Sequence, residues 1–248
     1  MNKITQAFVN KKALTAFLTG GDPNIETTEK LIVAMAESGV DMIEIGIPFS
    51  DPMAETLVVQ TADERALTNG CTVDKLFAMV KRARRNVDIP LLFMTYINPI
   101  FAYGTERFMK NCQDCGIDGV IVPDLPFEER GELADACKQY GITHISLIAP
   151  SSQERVQTIA RQAEGFLYCV SSLGQADSDA AQMIVQAKAV ADLPCAIAVN
   201  TSEQARKMAA IVDGVMIGSG IVQLVAEHGK DAITPVTDYI REMEDALR

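Results

Sequence analysis

Eight short apolar runs, separated by amphipathic stretches, constrain this chain more than any other feature. They lie at 13–19, 41–47, 90–96, 119–123, 142–149, 165–171, 194–199 and 213–217. Each is mostly Val, Ile, Leu, Phe, Met and Ala, the composition of strands covered on both faces. Helical patterning fills the gaps: 24–38, 55–85 in two pieces, 104–115, 127–140, 152–163, 179–191, 202–210, and 220–247 in pieces. An open doubly wound sheet would accommodate such alternation. Eight near-equal units favour closure, so the chain is predicted to form one domain over 1–248, an α/β fold of the single (β/α)8 (TIM) barrel type.

The punctuation agrees. Asp22-Pro23 is expected to start a helix, the acid capping it and the proline taking the first position. Gly39, Gly116 and Gly141 follow helical runs and suit helix C-termini. Pro90 and Pro194 fall at strand starts, where a missing N–H is tolerated.

The net charge of −11 argues against nucleic acid and anionic membrane surfaces as partners. No run of about 18 apolar residues spans a membrane. The start, Met1-Asn2-Lys3-Ile4, lacks the pattern of a signal peptide. The six cysteines therefore read as reduced thiols of a cytoplasmic protein. Cys112 and Cys115 have metal-like spacing but no second pair to complete four ligands, so no metal is expected and packing is the favoured role. His144 and His228 read as structural.

In such a barrel, chemistry belongs at the C-terminal ends of the strands. Glu44 stands out there, a carboxylate inside the run Ile43-Glu44-Ile45-Gly46. Burial would raise its pKa toward neutrality, the range of a general acid and base. The plainer alternative is a core glutamate tied to a hydroxyl such as Thr19 or Tyr168.

Several long motifs, in order, resemble the tryptophan synthase alpha subunit family. They are Thr15-Ala16-Phe17-Leu18-Thr19-Gly20-Gly21-Asp22-Pro23, Glu44 to Pro52, Met94 to Gly104, Val122 to Pro126, and Asp213 to Ser219. The resemblance runs nearly end to end. It implies a barrel lyase that cleaves indole-3-glycerol phosphate to indole and glyceraldehyde 3-phosphate by a retro-aldol reaction. Two carboxylates serve that reaction, with no cofactor, because protonated indole is itself the electron sink. It also implies a pyridoxal-phosphate beta subunit as partner, in an alpha2beta2 assembly. By motif, Glu44 matches the family glutamate and Glu55 occupies its aspartate position. Phe17, Tyr96 and Tyr168 match residues lining the indole pocket, and Gly218 and Ser219 match the phosphate cradle.

The departures cluster. Glu55-Thr56-Leu57 replaces Asp-Gly-Pro, and a methylene displaces the carboxylate by roughly 1 Å, a shift able to cost on the order of 10²-fold in rate. Ala176 and Asp177 stand where the family lid has threonine and a phosphate-facing glycine. Ala196 and Ala198 replace two glycines after strand seven, which predicts weakened phosphate binding. The 172–180 segment is expected to be a mobile loop. The segments 48–52, 98–103 and 124–126, which face the beta subunit in the family, are kept. The alternative reading is thus a catalytically weak or inactive homologue that docks on and activates a beta subunit; a third is a barrel enzyme whose substrate lacks a phosphate.

Overall fold

The computed structural model describes residues 2–149, 152, 154–170 and 177–247. Eight parallel strands close on themselves in sequence order. They are β1 (Ala13–Thr19), β2 (Met42–Gly46), β3 (Leu91–Met94), β4 (Gly119–Ile121), β5 (Thr143–Ile148), β6 (Leu167–Cys169), β7 (Cys195–Ala198) and β8 (Gly214–Ile217). All eight fall within the sequence-predicted runs. The helices are α1 (Lys3–Gln6), α2 (Ile25–Glu37), α3 (Leu57–Thr68), α4 (Val73–Ala83), α5 (Ile97–Tyr103), α6 (Thr105–Cys115), α7 (Gly131–Tyr140), α8 (Val156–Gln162), α9 (Asp177–Lys188), α10 (Ser202–Met208), α11 (Ser219–His228) and α12 (Ile233–Leu247). The alternation in β2 shows the layering. Ile43 and Ile45 pack outward beneath the helices, whereas Met42 points into the barrel with Leu92, Ile121, Ile145, Phe166 and Met216. Ile4 of α1 and Phe8 close the N-terminal mouth from below.

The two prolines are strand entrances. Pro90 and Pro194 immediately precede β3 and β7, and their carbonyls accept from Ile43 N (3.0 Å) and Leu167 N (2.8 Å). A residue without an N–H still serves the ladder as an acceptor. Gly116 and Gly141 end α6 and α7 in the left-handed conformation, at φ 90° and 66°, where a side chain would be strained.

Three features differ from the sequence reading. Asn24, not Asp22, caps α2, its side chain accepting from Thr27 N at 2.9 Å. Asp22 is instead a buried partner of Arg65, held by two hydrogen bonds of 3.0 and 2.8 Å. α1 and α5 were not anticipated. α1 is a single turn, too short for periodicity to show. α5 lies in a stretch rich in aromatics and carries Pro99, which the first turn tolerates because its N–H needs no partner there.

Candidate active site

A cavity of about 230 Å³ opens at the C-terminal end of the barrel, bordered by Phe17, Glu44, Glu55, Tyr168, Gly218 and Ser219 among others. Six of the seven residues expected at the site from sequence therefore meet here. Glu44 reaches it because the inward parity of β2 that places Met42 in the lumen also places Glu44 there, one pleat nearer the mouth. Gly46, at the end of the same strand, leaves room for the Phe17 ring: a Cβ there would lie 2.8 Å from it.

Glu44 is 1% exposed, and its Oε1 has no hydrogen-bond partner. Thr19 Oγ1 is likewise unpartnered. A core glutamate tied to Thr19 is therefore not what the fold contains. Burial pushes the Glu44 carboxyl up to about 8, with the neighbouring Glu55 charge adding to the effect. Glu44 thus carries its proton at neutral pH.

Glu55 is half-buried in the loop that follows β2. Tyr96 OH donates to its Oε2 at 2.6 Å. Burial raises the Glu55 pKa, while the Tyr96 hydrogen bond opposes the rise. Tyr96 differs from expectation. It is buried just past β3 but does not border the cavity; it stands behind Glu55, its ring 5.4 Å from that of Phe49. Ala54 N donates to the same phenolic oxygen at 2.8 Å, which fixes the β2 loop to the start of α5.

Sequence reasoning missed several lining residues. Val59, Met94, Val170, Asn200, Met216 and Ile217 also border the cavity. The inward parity of β3 and β8 pointed at Met94 and Met216; Val59 and Asn200 lie outside the strands, where parity is silent. Asp63 of α3 was also missed. It is 4% exposed, and burial, with the Glu55 charge second, raises its carboxyl to about 7. Phe49 N approaches its Oδ2 at 3.4 Å.

Against known proteins, the family model for the tryptophan synthase alpha chain matches residues 4–248. The tryptophan synthase alpha chain of Lactiplantibacillus plantarum is 43% identical, with 100% of this chain and 97% of that one aligned. That of Lacticaseibacillus casei is 40% identical over 100% and 96%. A solved tryptophan synthase subunit alpha from Legionella pneumophila superposes with a TM-score of 0.92 at 34% identity, covering 100% of this chain and 98% of that one. The chain belongs to the tryptophan synthase alpha chain family.

The residues expected from the resemblance to form a phosphate cradle fall where α11 begins. Gly218 and Ser219 open this helix at the edge of the cavity, and no side chain caps it, which leaves its first amides without a side-chain acceptor. Ala198 borders the same end, but Ala196 does not: it is buried in the barrel interior with Phe166 and Met216. The expectation that Ala196 crowds a phosphate is corrected accordingly, since its parity on β7 points it into the lumen below the cavity. Asn200 N is already engaged, donating to Gln204 Oε1 at 2.9 Å. Of the segment 172–180 expected to be a mobile loop, 172–176 lie outside the described residues, whereas 177–180 form the first turn of α9, so the loop expectation is corrected there. The side chain of Asp177 also lies outside the described residues, and with it the expectation of an anion near the phosphate. Among the described residues no helix is long and apolar enough to cross a membrane, and the six cysteines are buried free thiols.

Proposed function

We propose that this chain cleaves indole-3-glycerol phosphate to indole and glyceraldehyde 3-phosphate, with Glu44 and Glu55 as its two catalytic carboxylates. The observation that carries the reading is the pairing of unlike carboxyl environments across one cavity. Two titratable groups whose surroundings push them apart divide acid from base. Glu44, dry and protonated, gives its proton to indole C3. Glu55, held by Tyr96, accepts the hydrogen bond of the indole N–H and stabilises the cationic indolenine. Glu44, now ionised, takes the proton of the glycerol hydroxyl beside the ring. The carbon–carbon bond breaks, its electron pair returns to the ring nitrogen's iminium, and the aldehyde leaves. One proton enters at carbon and one returns from oxygen, so the sequence balances. Phe17 and Tyr168 hold the indole between them, and Gly218, Ser219 and the first amides of α11 hold the phosphate.

Docking on a beta subunit in the cytoplasm completes the proposal. One solved relative of 32% identity, with a TM-score of 0.88 and coverage of 95% and 98%, comes from a tryptophan synthase complex of Pyrococcus furiosus. Here the loops after β2, β3 and β4 are knitted together, by Tyr96 to Ala54 and by Ile97 N to Asp124 Oδ1 at 2.9 Å. They leave Met53 88%, Leu57 75% and Phe101 47% exposed on the same end of the barrel. Such apolar exposure suits a protein interface. The altered cradle, with Ala198 in place and Asn200 N occupied, favours the second reading, a docking homologue of low activity. Steady-state release of indole from indole-3-glycerol phosphate, with and without a beta subunit, decides between them. Turnover that vanishes in Glu44→Gln supports the lyase; no turnover in the complex, with the beta subunit's own rate raised, supports the activator.

A further inference from the structure

A second cavity, of about 200 Å³, lies on the outer side of the barrel between β5, the 123–130 segment before α7, and α8. The outer faces of barrel strands are normally apolar because helices cover them. β5 breaks that rule: Ile145 and Leu147 point inward, which turns His144 and Ser146 outward into this space. Neither side chain makes a hydrogen bond among the described residues, and both are half-buried. Two guanidinium groups border the same cavity. Arg130 lies over the Phe127 ring at 3.9 Å and bonds Phe127 O and Gln162. Arg155 is held at the rim by Glu128, at 2.9 and 3.0 Å. An arginine has five N–H donors, so Arg130 keeps several in reserve. Burial, with the Arg130 charge second, depresses the His144 pKa. Two guanidinium groups thus border an opening whose lining contains no carboxylate among the described residues, in a chain with net charge −11.

We propose that this cavity binds a small amphiphilic acid, whose anionic head takes the spare donors of Arg130 and the His144 ring while its apolar body lies against Phe127 and Ile159. Both halves have a physical reason. The head supplies the countercharge that the lining lacks and pairs with a planar donor fork suited to oxyanions. The body covers an apolar wall that α8, only seven residues long, leaves open. The site is separate from the catalytic cavity, whose lining shares no residue with it.

The chain has only two histidines, so the imidazole C–H resonances report binding directly. Benzoate is the probe, benzamide its neutral isostere, and inorganic phosphate the head without a body. Benzoate is expected to shift the His144 signals and leave those of His228 in place. Benzamide and phosphate are each expected to bind on the order of 10-fold more weakly by calorimetry. Arg130→Gln should weaken benzoate by a similar factor, and Ser146→Leu, which fills the space, should do the same; near-native circular dichroism certifies that both fold. Glu44→Gln should leave the affinity unchanged. The proposal is overturned by an unmoved His144, by equal affinity for benzoate and benzamide, by phosphate binding as tightly as benzoate, or by loss of binding in Glu44→Gln alone.

Discussion

Tyr96 holds Glu55: the phenol donates to the carboxylate at 2.6 Å and accepts from Ala54 N at 2.8 Å. The two contacts make one unit of the β2 loop, the start of α5 and the second carboxylate. A glutamate has one more rotatable bond than the aspartate it replaces in the family. A fixed donor behind it removes much of that freedom, which is how a longer side chain could still present its oxygens reproducibly.

Tyr96→Phe should therefore lower kcat/KM by roughly 10-fold, the scale of one hydrogen bond to a charged group. The change should also move the pH profile. The Tyr96 bond lowers the Glu55 pKa against the burial that raises it, so its loss should carry the ascending limb of activity to higher pH. A profile that drops uniformly without moving would show that Tyr96 acts on the loop alone.

Glu55→Asp should raise turnover if native turnover is low, because the shorter side chain restores the reach typical of the family. The Tyr96 bond works against this gain, since an aspartate at 55 would pull its carboxylate away from the phenol. Pairing the substitution with Tyr96→Phe separates the two effects. Equal or lower turnover in both backgrounds would show that carboxylate reach does not limit the rate.

Much of this was legible in the sequence, and the line between legible and hidden is physical. Glu44 was found because a strand has a two-residue period: one carboxylate among Ile43, Ile45 and Gly46 has only two faces to choose from. Phe17, Tyr168, Gly218 and Ser219 came from the motif resemblance rather than from periodicity, and the barrel brings those motifs, from β1, β6 and the turn after β8, to one mouth. Tyr96, likewise taken from the motif, stands one layer behind the cavity; it lies past β3, in the turn into α5, where strand parity offers no check on its placement. Asp63 was hidden altogether. It lies in a helix whose pattern reads as an ordinary amphipathic stretch, and only the folding back of Phe49 over it makes it a neighbour of the site. Asp22 was misassigned because a capping acid and an ion-paired acid look alike in sequence; the deciding partner, Arg65, is 43 residues away.

Glu44 should weaken the fold as pH rises from about 4.5 to about 8. In the unfolded chain it ionises near 4.5, whereas the folded chain holds its proton to about 8. Stability is thus lost as pH rises between those values, by about 1.4 kcal/mol per pH unit as an upper estimate for this one group. Glu44→Gln removes that slope. Urea unfolding at pH 5, 6, 7 and 8 should show the variant gaining on the parent with each step, while catalysis falls by at least 10²-fold. A stability difference that stays constant across the series would mean that Glu44 is ionised in the folded protein.

The phosphate end offers the last test. Three features act on it in opposite directions. The uncapped N-terminus of α11, with Gly218 and Ser219, supplies free amides and a favourable dipole. Ala198 adds a methyl where the family keeps a glycine, and Asn200 N is lost to Gln204. Ala196 takes no part, since it is buried below the cavity. If close approach is what limits binding, Ala198→Gly should tighten glycerol phosphate several-fold by calorimetry. Gln204→Ala, which frees the Asn200 amide, should add to it, because one more donor to a dianion is worth about 1.5–3 kcal/mol before desolvation. Ser219→Ala should weaken binding in every background. If the helix terminus suffices alone, the first two variants will bind as the parent does and only the third will change. That outcome would make Ala198 a neutral replacement and remove the main structural support for the reading of a docking homologue with little activity of its own.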